Sequence, residues 1–283
     1  MTDKKYDLTY LSFGAGVQST ALLVCSNLGL HGVPRADVAI FADTGYEPQY
    51  VYDQLETMRK WSKIPVETVN DGRKGNPEHD LAIPAFTIDA SGNRGIVRRI
   101  CTTAWKVEPI TRSVRRHLGY KPGAVVKKKA RAMLGISVDE AHRMKPSNHK
   151  WQTNTYPLVD ARLRRSDCLK IVADAGLPAP ERSACYFCPF HSAAEWKRLR
   201  DHHPKDWDKA VAYDSAIRNS TRAGLDRPVF LHSQLVPLDQ VVLDRPEKNL
   251  FAEFGGVSPS AFLALPSDEP DAFGNECEGM CGV

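Results

Sequence analysis

Apolar and polar positions change period several times along the first quarter of the chain. Residues 6–13 (YDLTYLSF) read as a strand, a Gly-containing turn follows, and apolar residues then recur at helical spacing from Ser19 to about Leu30. Residues 37–42 (DVAIFA) form a second apolar run that stops at Asp43-Thr44-Gly45. A second helical pattern spans Tyr50 to Trp61, and residues 64–69 (IPVETV) read as a third strand. This β-α-β-α-β order predicts an α/β fold with a Rossmann-like, doubly wound parallel sheet. Ligands in such sheets sit outside the carboxyl ends of the strands, where both Gly-containing turns fall.

Residues 70–98 are polar and rich in Gly, Asn and Pro, and read as a long functional loop. Helices are expected over 105–118 and 166–175, and a strand over 131–137 (RAMLGIS). Composition changes after CYFCPF at 185–190. Residues 192–219 carry alternating charge and Trp at helical spacing, which predicts a helical C-terminal extension, and the tail from about 255 is rich in Gly, Pro and acid. The expected division is a nucleotide-binding, cysteine-bearing domain over 1–190, with the helical extension and a Cys-bearing tail over 191–283.

The 283 residues are 42% hydrophobic and 25% charged, as in an ordinary globular protein. No apolar run reaches the roughly 18 residues of a membrane span. The charged, then strand-like N-terminus is unlike a secretion signal, so a cytoplasmic, reducing setting is expected. Seven cysteines then point to metal or redox chemistry rather than to a disulfide framework. The net charge of +4 is mild but uneven: from Arg94 to Arg131, Glu108 is the only acid among twelve Lys and Arg. Such a stretch neutralises nucleotide phosphates, guides a nucleic-acid backbone, or forms a solvated face.

Ser12-Phe13-Gly14-Ala15-Gly16-Val17-Gln18-Ser19-Thr20 lies between the first strand and helix. Gly14 and Gly16 let the backbone turn tightly beside a ligand. The helix start supplies N–H groups and a positive dipole end suited to phosphate, and Ser12, Ser19 and Thr20 add hydroxyls. There is no G-x-x-x-x-G-K-[ST] signature. The competing reading is a tight strand–helix turn without a ligand. Asp43, before Thr44 and Gly45, reads either as an acceptor for ribose or adenine or as a cap for the next helix.

GAGVQST resembles the S-G-G-x-D-S loop of the PP-loop ATP pyrophosphatases, and SFGAGVQ resembles the S-F-G-x-Q loop of phosphoadenylyl sulfate (PAPS) reductases. Both belong to the adenine nucleotide alpha hydrolase-like superfamily. Gln18 stands where the pyrophosphatases carry Asp, and Gly14 where they carry the first Ser. Asp43-Thr44-Gly45-Tyr46, with Tyr52 in the following helix, resembles the reductases' D-T-G-Y turn, which lies against the nucleotide. Residues 101–112 (CTTAWKVEPITR) resemble C-C-x-x-x-K-V-x-P-L-x-R, and 135–143 (GISVDEAHR) resemble G-[IL]-R-x-[DE]-E-S-x-R, with Ser137 at the first Arg. Tyr156-Pro157-Leu158 and Cys185-x-x-Cys188-Pro189 resemble N-P-L…C-x-x-C. The matches run in family order across 12–190.

Cys185 and Cys188 place two thiols within reach of one metal centre. The resemblance implies that Cys101, Cys185 and Cys188 hold a 4Fe–4S cluster, with Thr102 replacing a fourth thiolate and one iron left open to carry sulfur. The alternatives are structural zinc, with His191 or a tail cysteine as fourth ligand, and reduced thiols that bind no metal. Cys25 and Cys168 read as packing. Glu276-Cys277 resembles the reductases' C-terminal E-C-G, where the Cys is the nucleophile. Cys277 and Cys281 together suit a persulfide relay, a turnover disulfide or cluster ligation, or else belong to an inert tail.

The expected activity is ATP-dependent adenylation of an acceptor followed by iron–sulfur-dependent thiolation, the work of a sulfurtransferase resembling ATP pyrophosphatases. Lys106, Arg112 and Arg143 would stabilise developing negative charge, with Mg2+ an admissible companion of ATP. The acceptor would be a nucleic acid or a small molecule, the partners a sulfur donor or dithiol reductant, and a homodimer is compatible. The rivals are a thiol-dependent reductase of PAPS or adenylyl sulfate, with Cys277 attacking sulfur, and a non-catalytic nucleotide or redox sensor.

Overall fold

The computed structural model describes residues 5–72, 83–88, 92–97, 100–219 and 227–243. The elements in chain order are β1 (Leu8–Ser12), α1 (Val17–Leu28), β2 (Val38–Ala42), α2 (Gln49–Trp61), β3 (Val66–Val69), β4 (Phe86–Ile88) and β5 (Arg94–Ile96). A π-helical segment (Thr102–Val107) leads into α3 (Glu108–His117), β6 (Ala130–Leu134) and a 3-10 turn (Val138–Arg143). Then come β7 (Gln152–Thr155), α4 (Pro157–Asp160), α5 (Arg165–Asp174), α6 (Ala193–His202), α7 (Pro204–Ile217), β8 (Val229–Phe230) and a last 3-10 turn (Leu238–Gln240). Two compact units divide them: residues 5–72 and 102–184 form the first, and the described residues among 83–101 and 185–243 form the second.

The first unit is an α/β fold around a five-stranded sheet of order β3-β2-β1-β6-β7, in which every pairing is parallel. The chain steps outward from β1 to β3, then returns to the other side of β1 as β6. The carboxyl ends of β1 and β6 therefore flank the topological switch point, where open α/β sheets leave a crevice.

Alternation along the strands divides the core. Leu11, Phe13, Ala39, Phe41 and Met133 pack with α1, α2 and α5 on one face. Tyr10, Val38, Ile40, Ala132 and Leu134 pack with Ile110, Val114 and Leu118 of the α3 region on the other. Those last three recur every four residues, one stripe of a helix. α1 is buried over its first ten residues and ends at Gly29, whose φ of 70° gives a left-handed C-cap.

Several elements depart from the sequence expectations. α1 starts at Val17, two residues before Ser19. The helix expected over 105–118 is a π-helical turn followed by α3. The strand expected over 131–137 ends at Leu134, and residues 135–137 are an irregular link to the 3-10 turn that follows. β7, Gln-Thr-Asn-Thr, was not foreseen, because an edge strand paired on one side has no need of an apolar run.

In the second unit, β5-β4-β8 form an antiparallel sheet. Two of its strands lie inside 70–98, read from sequence as loop; three residues are too few to show a period of two. The helical stretch expected over 192–219 is two helices. Ser192 and Glu195 make a capping box at the start of α6, and Pro204 opens α7. Phe187 and Tyr213 stack with ring centroids 4.1 Å apart. Buried Asp214 binds the backbone N–H groups of Leu231 at 2.8 Å and Leu238 at 3.0 Å. Among the described residues no helix is long and apolar enough to cross a membrane.

Candidate functional site

β1 ends at Ser12, and Phe13 extends its pairing by donating to the Ile40 carbonyl at 2.9 Å. The chain then turns sharply. Ala15 takes a φ of 58°, a left-handed conformation that costs a residue with a Cβ about 1 kcal/mol. Gly16 is the extended N-cap of α1 and supplies no side-chain cap. The Thr20 N–H donates to the Gly16 carbonyl at 2.9 Å, the bond that opens the helix. The N–H groups of Val17, Gln18 and Ser19 precede it and have no carbonyl one turn back. The Ser19 hydroxyl folds the loop on itself, donating to the Gly16 carbonyl and accepting from the Gly14 N–H. Ser12 Oγ and Thr20 Oγ1 are buried and have no hydrogen-bond partner, an arrangement that costs free energy unless a ligand or water satisfies it.

Two glycines permit this packing. A Cβ on Gly135, just past β6, would lie 2.8 Å from the Ser19 nitrogen and 2.9 Å from its Cα. A Cβ on Gly16 would lie 3.0 Å from Ser183 Oγ. The backbone after β6 and the segment at Ser183 thus close on the start of α1.

The turn after β2 is held from within. The Asp43 Oδ1 accepts from the Gly45 N–H and the Tyr52 hydroxyl, both at 2.8 Å, and Gly45 has a φ of 78°. Asp43 does not cap α2, whose N-cap is Pro48. Burial first, and then the hydrogen bond to and charge of Asp43, raise the Tyr52 pKa well above the ordinary phenol value. Thr44 donates to Glu47 Oε1 at 3.2 Å. Lys106, delivered by the π-helical turn, pairs with the same oxygen at 3.2 Å, and both charged groups are buried. Tyr46 and Trp105 pack with centroids 5.6 Å apart.

The three cations assigned to charge stabilisation each face a carboxylate. Lys106 pairs with Glu47, Arg112 lies 3.9 Å from Glu108, and Arg143 lies 2.8 Å from Glu140. Sequence reasoning missed Arg165, the first residue of α5. Its guanidinium Nη1 donates to Gln18 Oε1 at 2.9 Å across 147 residues of sequence. Its backbone N–H donates to Asp139 Oδ2 at 2.6 Å, and the buried Ser137 hydroxyl lies 3.5 Å from the same oxygen. Ser183 was missed as well. No local spacing ties either residue to residues 12–20.

Much of the basic stretch is engaged within the fold. Arg115 donates to the carbonyls of Lys121 and Ala124, Lys128 to that of Leu118, and Lys129 to that of Lys150. Arg116 pairs with Glu67 at 3.3 Å. Desolvation raises the Glu67 pKa, but His117, Ser113 and Arg116 outweigh it and hold the carboxyl below its ordinary value. Arg98 and Arg99 lie outside the described residues.

Cys101 and Cys185 are half-buried and Cys188 is buried, all in the second unit and in no disulfide. The Cys188 N–H donates to the Cys185 carbonyl at 2.9 Å, and His191 Nε2 lies 3.0 Å from that carbonyl oxygen. An imidazole nitrogen meets a carbonyl as an N–H donor, so Nε2 carries the proton and is not available to a metal in this arrangement. Among the described residues no three Cys, His, Asp or Glu side chains converge to hold a metal ion. Cys25 and Cys168 are fully buried in the first unit, and burial pushes their thiols up to about 11 and about 12. Cys277 and Cys281 lie outside the described residues.

No protein-family model matches the chain, and no curated protein matches its sequence.

Proposed function

We propose that the chain is an enzyme of the PP-loop type that binds ATP through residues 12–20 and transfers sulfur to an acceptor activated by adenylation. One observation carries this reading. At the switch point of the parallel sheet, a strained turn leads into an uncapped helix N-terminus beside two buried hydroxyls without partners. That combination suits a polyphosphate, which accepts from amide and hydroxyl donors at once and favours the positive end of the helix.

The N–H groups of Val17, Gln18 and Ser19 bind phosphate oxygens, with Ser12 and Thr20 as hydroxyl donors. The Asp43–Gly45 turn, locked by Tyr52, borders the nucleoside. An acceptor oxygen attacks the α-phosphorus, the bond to the β-phosphate oxygen breaks, and pyrophosphate leaves with the electron pair while the acceptor loses a proton. A sulfide-level donor then displaces AMP from the activated carbon, a substitution with no net redox change. Where Cys101, Cys185, Cys188, Cys277 or Cys281 carries the sulfur in place of free sulfide, it does so as a persulfide: the terminal sulfur displaces AMP, a second cysteine thiol loses its proton and attacks the inner sulfur to break the S–S bond and close a disulfide, and an external dithiol reduces that disulfide. A nucleic acid is the proposed acceptor class.

The test is ATP labelled at the α-phosphate, incubated without oxygen with the full chain, sulfide and candidate acceptors. Acceptor-dependent release of AMP and pyrophosphate in equal amounts is expected. Sulfite formation from PAPS with a dithiol, in the absence of ATP turnover, would replace this reading with the reductase one.

A further inference from the structure

The guanidinium of Arg165 is set apart from the other cations of the first unit that were singled out for catalysis. Lys106, Arg112 and Arg143 each pair with a glutamate. Arg165 instead donates to a neutral amide, Gln18 Oε1, at 2.9 Å. Gln18 is buried in the first turn of α1, so its partner's full positive charge stands at the helix start. No carboxylate among the described residues pairs with that guanidinium. The position is also built. The Arg165 N–H is held by Asp139 Oδ2 at 2.6 Å, and Asp167 Oδ2 accepts from the Arg164 N–H at 2.8 Å, which fixes the start of α5. Arg165 is exposed, and its guanidinium adds positive charge beside the first turn of α1, where an anion is favoured. The buried, unpartnered hydroxyls of Ser12, the last residue of β1, and Thr20, in the first turn of α1, point independently to an absent ligand.

We infer that Arg165 is a direct ligand of the polyphosphate chain and that Gln18 holds it ready, yielding or sharing the guanidinium when the anion arrives. Arg165 thereby selects for ligand charge: it strengthens ATP binding and contributes nothing to adenosine. This inference rests on the proposed nucleotide site and extends it to a residue on a separate element.

The experiment is calorimetric titration of the full chain with ATP and with adenosine, for wild type, Arg165→Ala and Arg165→Lys, with melting temperatures recorded beside them. A charge-assisted hydrogen bond implies a roughly ten- to hundredfold loss of ATP affinity in Arg165→Ala. Adenosine affinity should be unchanged, with Arg165→Lys intermediate for ATP, while the melting temperature falls only by the modest cost of freeing Gln18 Oε1. ATP affinity equal to wild type in Arg165→Ala would overturn the inference and leave the nucleotide site standing. Equal losses for ATP and adenosine would make Arg165 structural and also overturn it. Failure of the wild type to bind ATP would remove the nucleotide site and the inference together.

Discussion

Gly135 and Ser19 meet backbone to backbone: a Cβ on Gly135 would stand 2.8 Å from the Ser19 nitrogen, closer than unbonded atoms approach. The contact locks the end of β6 to the start of α1, so the geometry of the loop depends on a residue more than a hundred positions away. Gly135→Ala is expected to push the two segments apart, at a cost of about 1–3 kcal/mol. Urea denaturation measures the loss, and a variant as stable as wild type would mean that the contact relaxes freely.

The buried Lys106–Glu47 pair makes a separate prediction. Lys106→Met leaves a buried carboxylate without its cation and should destabilise the protein by about 3–5 kcal/mol. Adding Glu47→Gln should recover much of that stability. If the double variant also regains ATP turnover, Lys106 is a structural group; if it is stable but inactive, Lys106 acts on the reacting phosphate.

His232 predicts a pH dependence in the second unit. Burial lowers its pKa from the ordinary 6.5 to about 4, and its Nδ1 accepts from the Gln234 N–H at 3.1 Å. The unfolded chain takes up the proton first as pH falls. Stability is therefore full above about pH 6.5 and declines toward pH 4, by up to about 3 kcal/mol. His232→Asn keeps an acceptor for Gln234 but does not titrate, so its melting temperature should fall less over that range. An identical slope in the two proteins would place the pH dependence elsewhere.

Thiol labelling separates the cysteines. Cys25 and Cys168 are fully buried and their thiols are pushed up to about 11 and about 12, so at neutral pH the native protein should not expose them to maleimide. Cys101 and Cys185, both half-buried, should label faster. Mass spectrometry of labelled peptides reads this directly, and rapid native labelling of Cys168 would contradict the packing of α5 against the sheet.

The strands and helices of the first unit were legible wherever the hydrophobic period ran for five or more residues, as in β1, β2, α1 and α2. The turn containing Gly14 and Gly16 was legible too, because glycine and hydroxyl residues between a strand and a helix have few other uses. Arg165 and Ser183 were not. They reach residues 12–20 through the sheet topology, and no local spacing encodes that. β4 and β5 escaped because short antiparallel strands draw their order from partners, here each other and β8. The Asp43 carboxylate was legible as a turn residue, but its link to Tyr52 nine positions on required the actual path of α2.

The central claim is that residues 12–20 form a phosphate site for ATP, and thermal unfolding with and without ATP tests it most directly. Binding to the folded state alone raises stability, by about 2.7 kcal/mol when ATP is a hundredfold above its Kd. The account predicts that millimolar ATP raises the melting temperature of the wild type and leaves that of Gly135→Ala nearly unmoved. A wild-type melting temperature that does not respond to ATP, with or without Mg2+, would contradict the claim.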